Sequence, residues 1–270
     1  MREEELVLIN GVRSSGIDVR DRGLQYGDGV FRTLKAEAGR LRWWADQYRK
    51  LAADCAALSI ACPSEPVLAA EARSLLAEPG IGVIKIIVTR GVGRRGYATA
   101  EEAEPARIVM GFPGGAQENR EVRARWCDLR LSAQPRLAGV KHLNRLENVL
   151  ARAEWKDPEI SEGLLLDEAG HAICGTMSNL FIVEQGRLLT PALSHCGVAG
   201  VARSRIIRAA ERHGQAAGVE AISRARLLAS DGVYLCNSLI GVWRVTGLED
   251  RCWADEGWAK KLRSWLNEND

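Results

Sequence analysis

The chain is 270 residues long, enough for one large domain or two modest ones. Hydrophobic residues make up 46% and charged residues 27%, which excludes wholesale disorder. The net charge of +2 is too near neutral for nucleic acid or an anionic membrane to be the main partner.

Leu6 to Ile9, followed by Asn10-Gly11, reads as a strand and a tight hairpin turn. Gly29 to Lys35 is a second strand, and Gly39-Arg40 turns it back. From Ala45 to Ile60, Tyr48, Leu51, Ala52, Cys55 and Leu58 recur at three- and four-residue spacing, which predicts a helix. A second helix is expected from Glu65 to Ala77. The β-branched run Gly82 to Val88 predicts a buried strand, and Ala106 to Met110 another. The cluster Gly111-Phe112-Pro113-Gly114-Gly115 marks the domain boundary, giving a smaller domain of residues 1–115 and a larger one of 116–270.

Beyond it, Val122 to Leu131 reads as a strand. Asn144 and Glu147 have the spacing of a capping box, opening a helix from Arg145 to Trp155. Strands are expected at Gly163 to Asp167, Asn179 to Val183 and Val233 to Asn237. Helices are expected from Ala202 to Gly214 and from Trp253 to Asn267. The class is mixed α and β (α+β or α/β), with antiparallel hairpins rather than regular βαβ alternation.

The opening residues do not form a secretory signal, and no stretch approaches eighteen apolar residues. Seven cysteines and four histidines are scattered, with no C-x-x-C and no H-E-x-x-H. Neither a disulfide framework nor a metal site is expected, and a reducing cytoplasm is.

Lysine is scarce: Lys35, Lys50, Lys85, Lys141, Lys156, Lys260 and Lys261, against thirty arginines. Lys141 stands out because apolar residues flank it just before a helix, and partial burial favours the nucleophilic amine. The run Arg90-Gly91-Val92-Gly93-Arg94-Arg95-Gly96-Tyr97 suits an anionic ligand, since guanidinium forks match carboxylates. A solvated basic hairpin is an equal reading of that run. Gly197 to Arg203 precedes a helix whose first amides can hold a phosphate. Asp21 to Gly29 has the look of a tight functional loop.

In this order, these segments resemble the two-domain fold-type IV pyridoxal-phosphate enzymes, which include branched-chain and D-amino acid aminotransferases and aminodeoxychorismate lyases. Asp21-Arg22-Gly23 with Tyr26 to Phe31 is similar to the first motif of that group. Lys141 with Leu143 to Glu147 is similar to the Schiff-base lysine segment, and Ser178 to Phe181 and Gly197 to Arg203 to the cofactor-side motifs. The R-G-x-G-x-R-G-Y pattern from Arg90 to Tyr97 resembles the lyase branch.

The resemblance implies pyridoxal 5'-phosphate on Lys141, in the larger domain, with its phosphate held by Val201 and Ala202 amides, the Ser238 hydroxyl and Lys50. It implies a dicarboxylate substrate oriented by Arg90, Arg95 and Tyr97, cleaved to 4-aminobenzoate and pyruvate, and a homodimer. Two positions depart from the group. Lys50 stands where an arginine usually binds the phosphate. Cys174 stands where a glutamate usually pairs with the pyridine nitrogen, and a thiol is mostly neutral at pH 7. A weaker electron sink threatens transamination more than an elimination that forms an aromatic ring. A D-amino or branched-chain aminotransferase, or a catalytically impaired relative, are the competing readings.

Overall fold

Residues 6–78, 80–99, 103–115, 118–215, 217–254 and 257–268 are described by a computed structural model. They divide into two compact units: residues 1–116 with Val140–Asn144, and residues 117–139 with 145–270.

Unit 1 is an all-antiparallel sheet with helices packed on it. Its elements are β1 (Leu6–Ile9), β2 (Val12–Arg13), α1 (Arg22–Tyr26), β3 (Gly29–Glu37), β4 (Arg40–Leu41), α2 (Trp44–Ala57), α3 (Glu65–Leu76), β5 (Ile81–Thr89) and β6 (Ala106–Pro113). The strand order is β2-β1-β6-β5-β3-β4. Alternation sets which face is buried. Val30 and Leu34 of β3, with Ile84, Ile86 and Val88 of β5, join Leu51 and Cys55 of α2 and Leu68, Ala72 and Leu75 of α3 in one core. Arg32 falls on that same buried face of β3.

The segment carrying Lys141 lies along β3. The Phe31 amide donates to the Lys141 carbonyl at 3.0 Å, the Leu143 amide donates to the Gly29 carbonyl at 2.9 Å, and Val30 pairs antiparallel with His142. These backbone ties correct the expectation that Lys141 belongs to the larger half: it is part of unit 1.

Unit 2 holds β7 (Glu121–Leu131), α4 (Leu146–Ala153), β8 (Ile160–Asp167), β9 (Ala172–Gly175), β10 (Asn179–Glu184), β11 (Arg187–Pro191), α5 (Val201–Arg212), β12 (Gly218–Glu220), α6 (Arg224–Ala229), β13 (Gly232–Asn237), β14 (Gly241–Leu248), β15 (Arg251–Cys252) and α7 (Trp258–Asn267). The sheet runs β12-β11-β10-β13-β14-β7-β8-β9. It closes on itself where Asn179 of β10 pairs with Cys174 of β9. Leu164, Leu166, Leu180, Ile182, Val233, Leu235 and Val245 fill the main core. A second core holds Cys127, Leu131, Ala151, Trp155, Leu165, Ile173, Cys174 and Cys196.

The expected capping box does not form. Helix α4 starts at Leu146 with no side-chain cap. The Asn144 side chain donates instead to the Gly27 carbonyl at 3.1 Å, and Glu147 accepts from the Ser132 amide at 2.9 Å. Both side chains bond elsewhere instead of to the backbone amides that a capping box would pair. No helix among the described residues is long and apolar enough to cross a membrane.

Candidate active site

Unit 1 holds three groups of candidate site residues. Lys141 is half-buried, and its Nζ lies 4.4 Å from the centre of the Phe31 ring. Its amide donates to Asp54 Oδ2 at 3.2 Å. Asp54, on α2 and 1% exposed, also accepts from the buried Arg32 guanidinium and from Lys50 one turn earlier. Burial pushes the Lys50 ammonium down from its ordinary range while Asp54 opposes that shift. Neither Arg32 nor Asp54 was singled out by the sequence. A lone arginine in a strand carries no signal until the fold sets it beside an acid.

The second group is the Arg22–Asp28–Arg90 cluster. Asp28 Oδ2 accepts from Nε of Arg22 at 2.9 Å and from Nε of Arg90 at 2.8 Å. Burial alone would raise the Asp28 carboxyl, but Arg90 and Arg22 together hold it below the usual carboxylate range. Arg22 also donates to the carbonyls of Gly96 and Tyr97, at 2.9 and 3.2 Å. Arg90 further donates to the carbonyls of Leu58 and Ser59, at 2.7 and 2.8 Å. So four of the five N–H groups of Arg90 are committed within unit 1. Arg90, expected to orient a substrate carboxylate, is a brace for its loop. Arg95 and Tyr97 lie exposed on that loop, and Tyr97 packs edge-on against Tyr26 at 5.6 Å.

The third is the turn at the end of α1. Gly27 has φ 66°, and a Cβ there would stand 2.5 Å from the Asn144 side chain. Glycine is required both by the left-handed backbone and by the approach of the lysine segment.

Unit 2 gathers the other site residues at one end of its sheet. The Asn179 side chain donates to the Val198 carbonyl at 2.7 Å and accepts from the Gly200 amide at 3.1 Å. It thereby fixes the entry to α5. The first intrahelical bond there runs from the Ser204 amide to the Gly200 carbonyl, so the amides of Val201 and Ala202 precede the helix ladder. No side chain caps this end, which suits it to an anion. A Cβ at Gly200 would fall 2.2 Å from Asn179 Oδ1, so the approach depends on glycine. Ser238 sits in the β13–β14 turn. Asn237 shapes that turn by accepting from the amides of Leu239 and Ile240, and it donates to the Met177 carbonyl at 3.0 Å. The turn, the 176–178 segment and the start of α5 are therefore joined by asparagine side chains.

Cys174 is buried, 7% exposed, in the second core. Burial pushes its thiol far up, the nearby Glu162 charge adds to that, and Arg145 opposes it less strongly. The thiol is neutral. Glu162, fully buried and missed by the sequence reading, accepts from the amides of Gly163, Thr176 and Met177 and from the hydroxyls of Thr176 and Ser178.

In unit 1, the half-buried Lys141 and Lys50 with the orphaned Arg32 Nε donor suit a phosphorylated aldehyde. In unit 2, the uncapped start of α5 suits an anion. Cys174, which the resemblance implies would meet the pyridine nitrogen, offers a thiol and no acid.

Residues 29–248 match the model of the class IV aminotransferases, and the chain belongs to that family. Within it the chain is 35% identical to an aminodeoxychorismate lyase of Vibrio harveyi, over 89% of this chain and 90% of that one. It superposes on the crystal structure of 4-amino-4-deoxychorismate lyase from Pseudomonas aeruginosa with a TM-score of 0.92 at 43% identity, covering 97% and 98% of the two chains. A branched-chain aminotransferase from Thermoproteus uzoniensis, 18% identical with a TM-score of 0.85 over 97% of this chain and 93% of that one, shares the fold-type IV fold.

Proposed function

We propose that this chain is a pyridoxal-phosphate-dependent lyase that converts 4-amino-4-deoxychorismate to 4-aminobenzoate and pyruvate, a step of folate synthesis, and that it works as a homodimer. The observation that carries the reading is the placement of the only lysine in a K-x-L-N-R-L-E segment against β3, where its amide bonds Asp54 of the Arg32–Asp54–Lys50 cluster. Likeness to two lyases over almost the whole chain supports the substrate.

Lys141 is the attachment point for the cofactor. Lys50, the Val201 and Ala202 amides and the Ser238 hydroxyl hold its phosphate, and Cys174 faces the ring nitrogen as a neutral thiol. Bound pyridoxal phosphate supplies a carbonyl that captures amines and a ring that accepts electrons. The Lys141 amine removes the proton from the amine-bearing carbon of the substrate. It then returns a proton to the departing enolpyruvyl carbon, and loss of that group leaves an aromatic ring. Arg95 and Tyr97 orient the substrate carboxylates, while Arg22, Asp28 and Arg90 hold their loop in place.

The neutral Cys174 thiol favours this elimination over amino transfer. Transfer depends on a long-lived negative charge next to the ring, and an acid at the ring nitrogen is what stabilises it. Pyruvate release from aminodeoxychorismate, measured beside amino transfer to a keto acid, separates the two activities. Lys141→Ala is expected to abolish pyruvate release, and borohydride then fixes no cofactor to the chain, while far-ultraviolet circular dichroism stays that of the parent. Full turnover in that variant ends the proposal.

A further inference from the structure

Past Cys55, in the last turn of α2, the chain doubles back on itself. The Leu58 and Ile60 amides both donate to the Cys55 carbonyl, at 3.1 and 2.9 Å, and the Ser59 amide donates to the Ala56 carbonyl at 3.0 Å. Ser59 takes φ 52° to make the reversal. Ile60 is buried in the core of unit 1, and Cys62 returns against the same core that holds Cys55. One thiol therefore meets another: the Cys55 S–H donates to the Cys62 sulfur. Cys55 is fully buried, whereas Cys62 is half-buried in the irregular stretch before α3. The bond from Cys55 draws the Cys62 thiol below its ordinary range, burial opposes the fall, and the Tyr48 hydroxyl adds to it. The same bond, together with burial, keeps the proton on Cys55. Of the other five cysteines only Cys252 is exposed, and the rest are buried.

We propose that Cys55 and Cys62 form a reversible oxidation site, with a hydroperoxide as the oxidant, Cys62 as the sulfur that meets it and Cys55 as the resolving thiol. The accessible, more acidic thiol reacts as its thiolate. Its sulfur attacks one peroxide oxygen and the O–O bond breaks. The peroxide is reduced to water or an alcohol, and Cys62 is oxidised to a sulfenic acid. The sulfur charge that kept the proton on Cys55 is then gone. The Cys55 sulfur attacks the Cys62 sulfur, the S–O bond breaks, and the oxygen leaves as water carrying the Cys55 proton. A thiol reductant restores both thiols by exchange. Cys62 sits outside any helix, so it can move onto Cys55 without unwinding α2. The ring closed over residues 55–62 contains Leu58 and Ser59, whose carbonyls accept from Arg90. Oxidation thus ties the turn that braces the Arg90 loop, and it spares Cys62 the irreversible acids further up the oxidation ladder. None of this chemistry depends on the cofactor.

Trypsin leaves both sulfurs on one peptide, residues 51–73, so a bond between them reads as the loss of two hydrogens from that peptide. The full chain, reduced and then freed of reductant, is treated with hydrogen peroxide, quenched with an alkylating reagent and digested without reductant. The parent is expected to lose the two hydrogens at peroxide levels that leave Cys252 unmodified, and to regain them with dithiothreitol. Cys62→Ser is expected to abolish the loss. Cys55→Ala, which keeps a small apolar side chain in the core, is expected to stop at the sulfenic acid, trapped by dimedone on Cys62. Circular dichroism follows the folding of both variants. Dimedone added to the parent together with peroxide should also mark Cys62 and leave Cys55 unmarked, a reading that needs no variant to fold. Oxidation of Cys252 ahead of the pair overturns the proposal, as does a 51–73 peptide of the parent that gains oxygen without losing hydrogen. Dimedone on Cys55 overturns the order of attack.

Discussion

In the proposed lyase, Cys174 is the side chain set against the ring nitrogen, and a neutral thiol there does not keep that nitrogen protonated as an acid does. The thiol lies in the same apolar core as Leu131, Leu165 and Ile173. Glu162 is close enough for its charge to disfavour the thiolate, and Arg145 only partly offsets it. A carboxylate placed at 174 would be a second buried acid beside Glu162, desolvated by the same surroundings. Cys174→Glu is therefore expected to lower the melting temperature by about 5 °C or more, since a poorly paired buried charge costs several kcal/mol. Pyruvate release is expected to fall. Thermal unfolding followed by circular dichroism, with a coupled pyruvate assay, reads both. A large gain in turnover would mean instead that the cysteine impairs an enzyme built for an acid.

Among the elements, the turn before β10 and the start of α5 behave as one piece. Glu162 on β8 accepts five hydrogen bonds, four of them from residues 176–178, and Asn179 next in sequence holds Val198 and Gly200. Glu162→Gln replaces one acceptor oxygen by a donor, so buried donors lose their partner at a cost of about 1–3 kcal/mol each. The expected result is faster hydrogen exchange at Thr176 to Ser178 and at the start of α5, with weaker retention of pyridoxal phosphate. Unchanged exchange around Gly200 would break the link between the two.

None of that was readable in the sequence. The longer elements were: the β-branched run of β5 and the three- and four-residue spacing of α2 point to buried elements, and Ile84, Ile86 and Val88 of the one and Leu51 and Cys55 of the other are buried. What escaped was short or depended on contacts far along the chain. β9 has four residues and β12 three, too few to show a period. The Asp21–Gly29 loop contains a five-residue helix whose Asp21 cap is legible only beside Thr89. Asn144 carries the right spacing for a cap but donates to Gly27, more than a hundred positions earlier. Lys141, Lys50 and the α5 amides were singled out through motif likeness, whereas Arg32, Asp54 and Glu162 became visible only as partners.

On the scale of the whole molecule, helix α4 exposes an apolar stripe. Leu146, Val149 and Leu150, spaced three and four apart, are 68%, 60% and 53% exposed, while Ala151 alone of that helix is buried. A surface helix places such a stripe against a core, and an exposed one marks a contact with another molecule. Because the chain is proposed to pair with itself, a second copy is the occupant expected there. Light scattering should then give a mass twice the 29.6 kDa of one chain. Leu146→Glu with Leu150→Glu should bring it to the single-chain value at low protein concentration. Neither side chain lies in a core cluster or accepts a hydrogen bond that would be lost, so the double variant is expected to stay folded by circular dichroism. A parent that runs as a monomer would remove the homodimer from the proposal, and an unchanged dimer in the double variant would move the interface to another face.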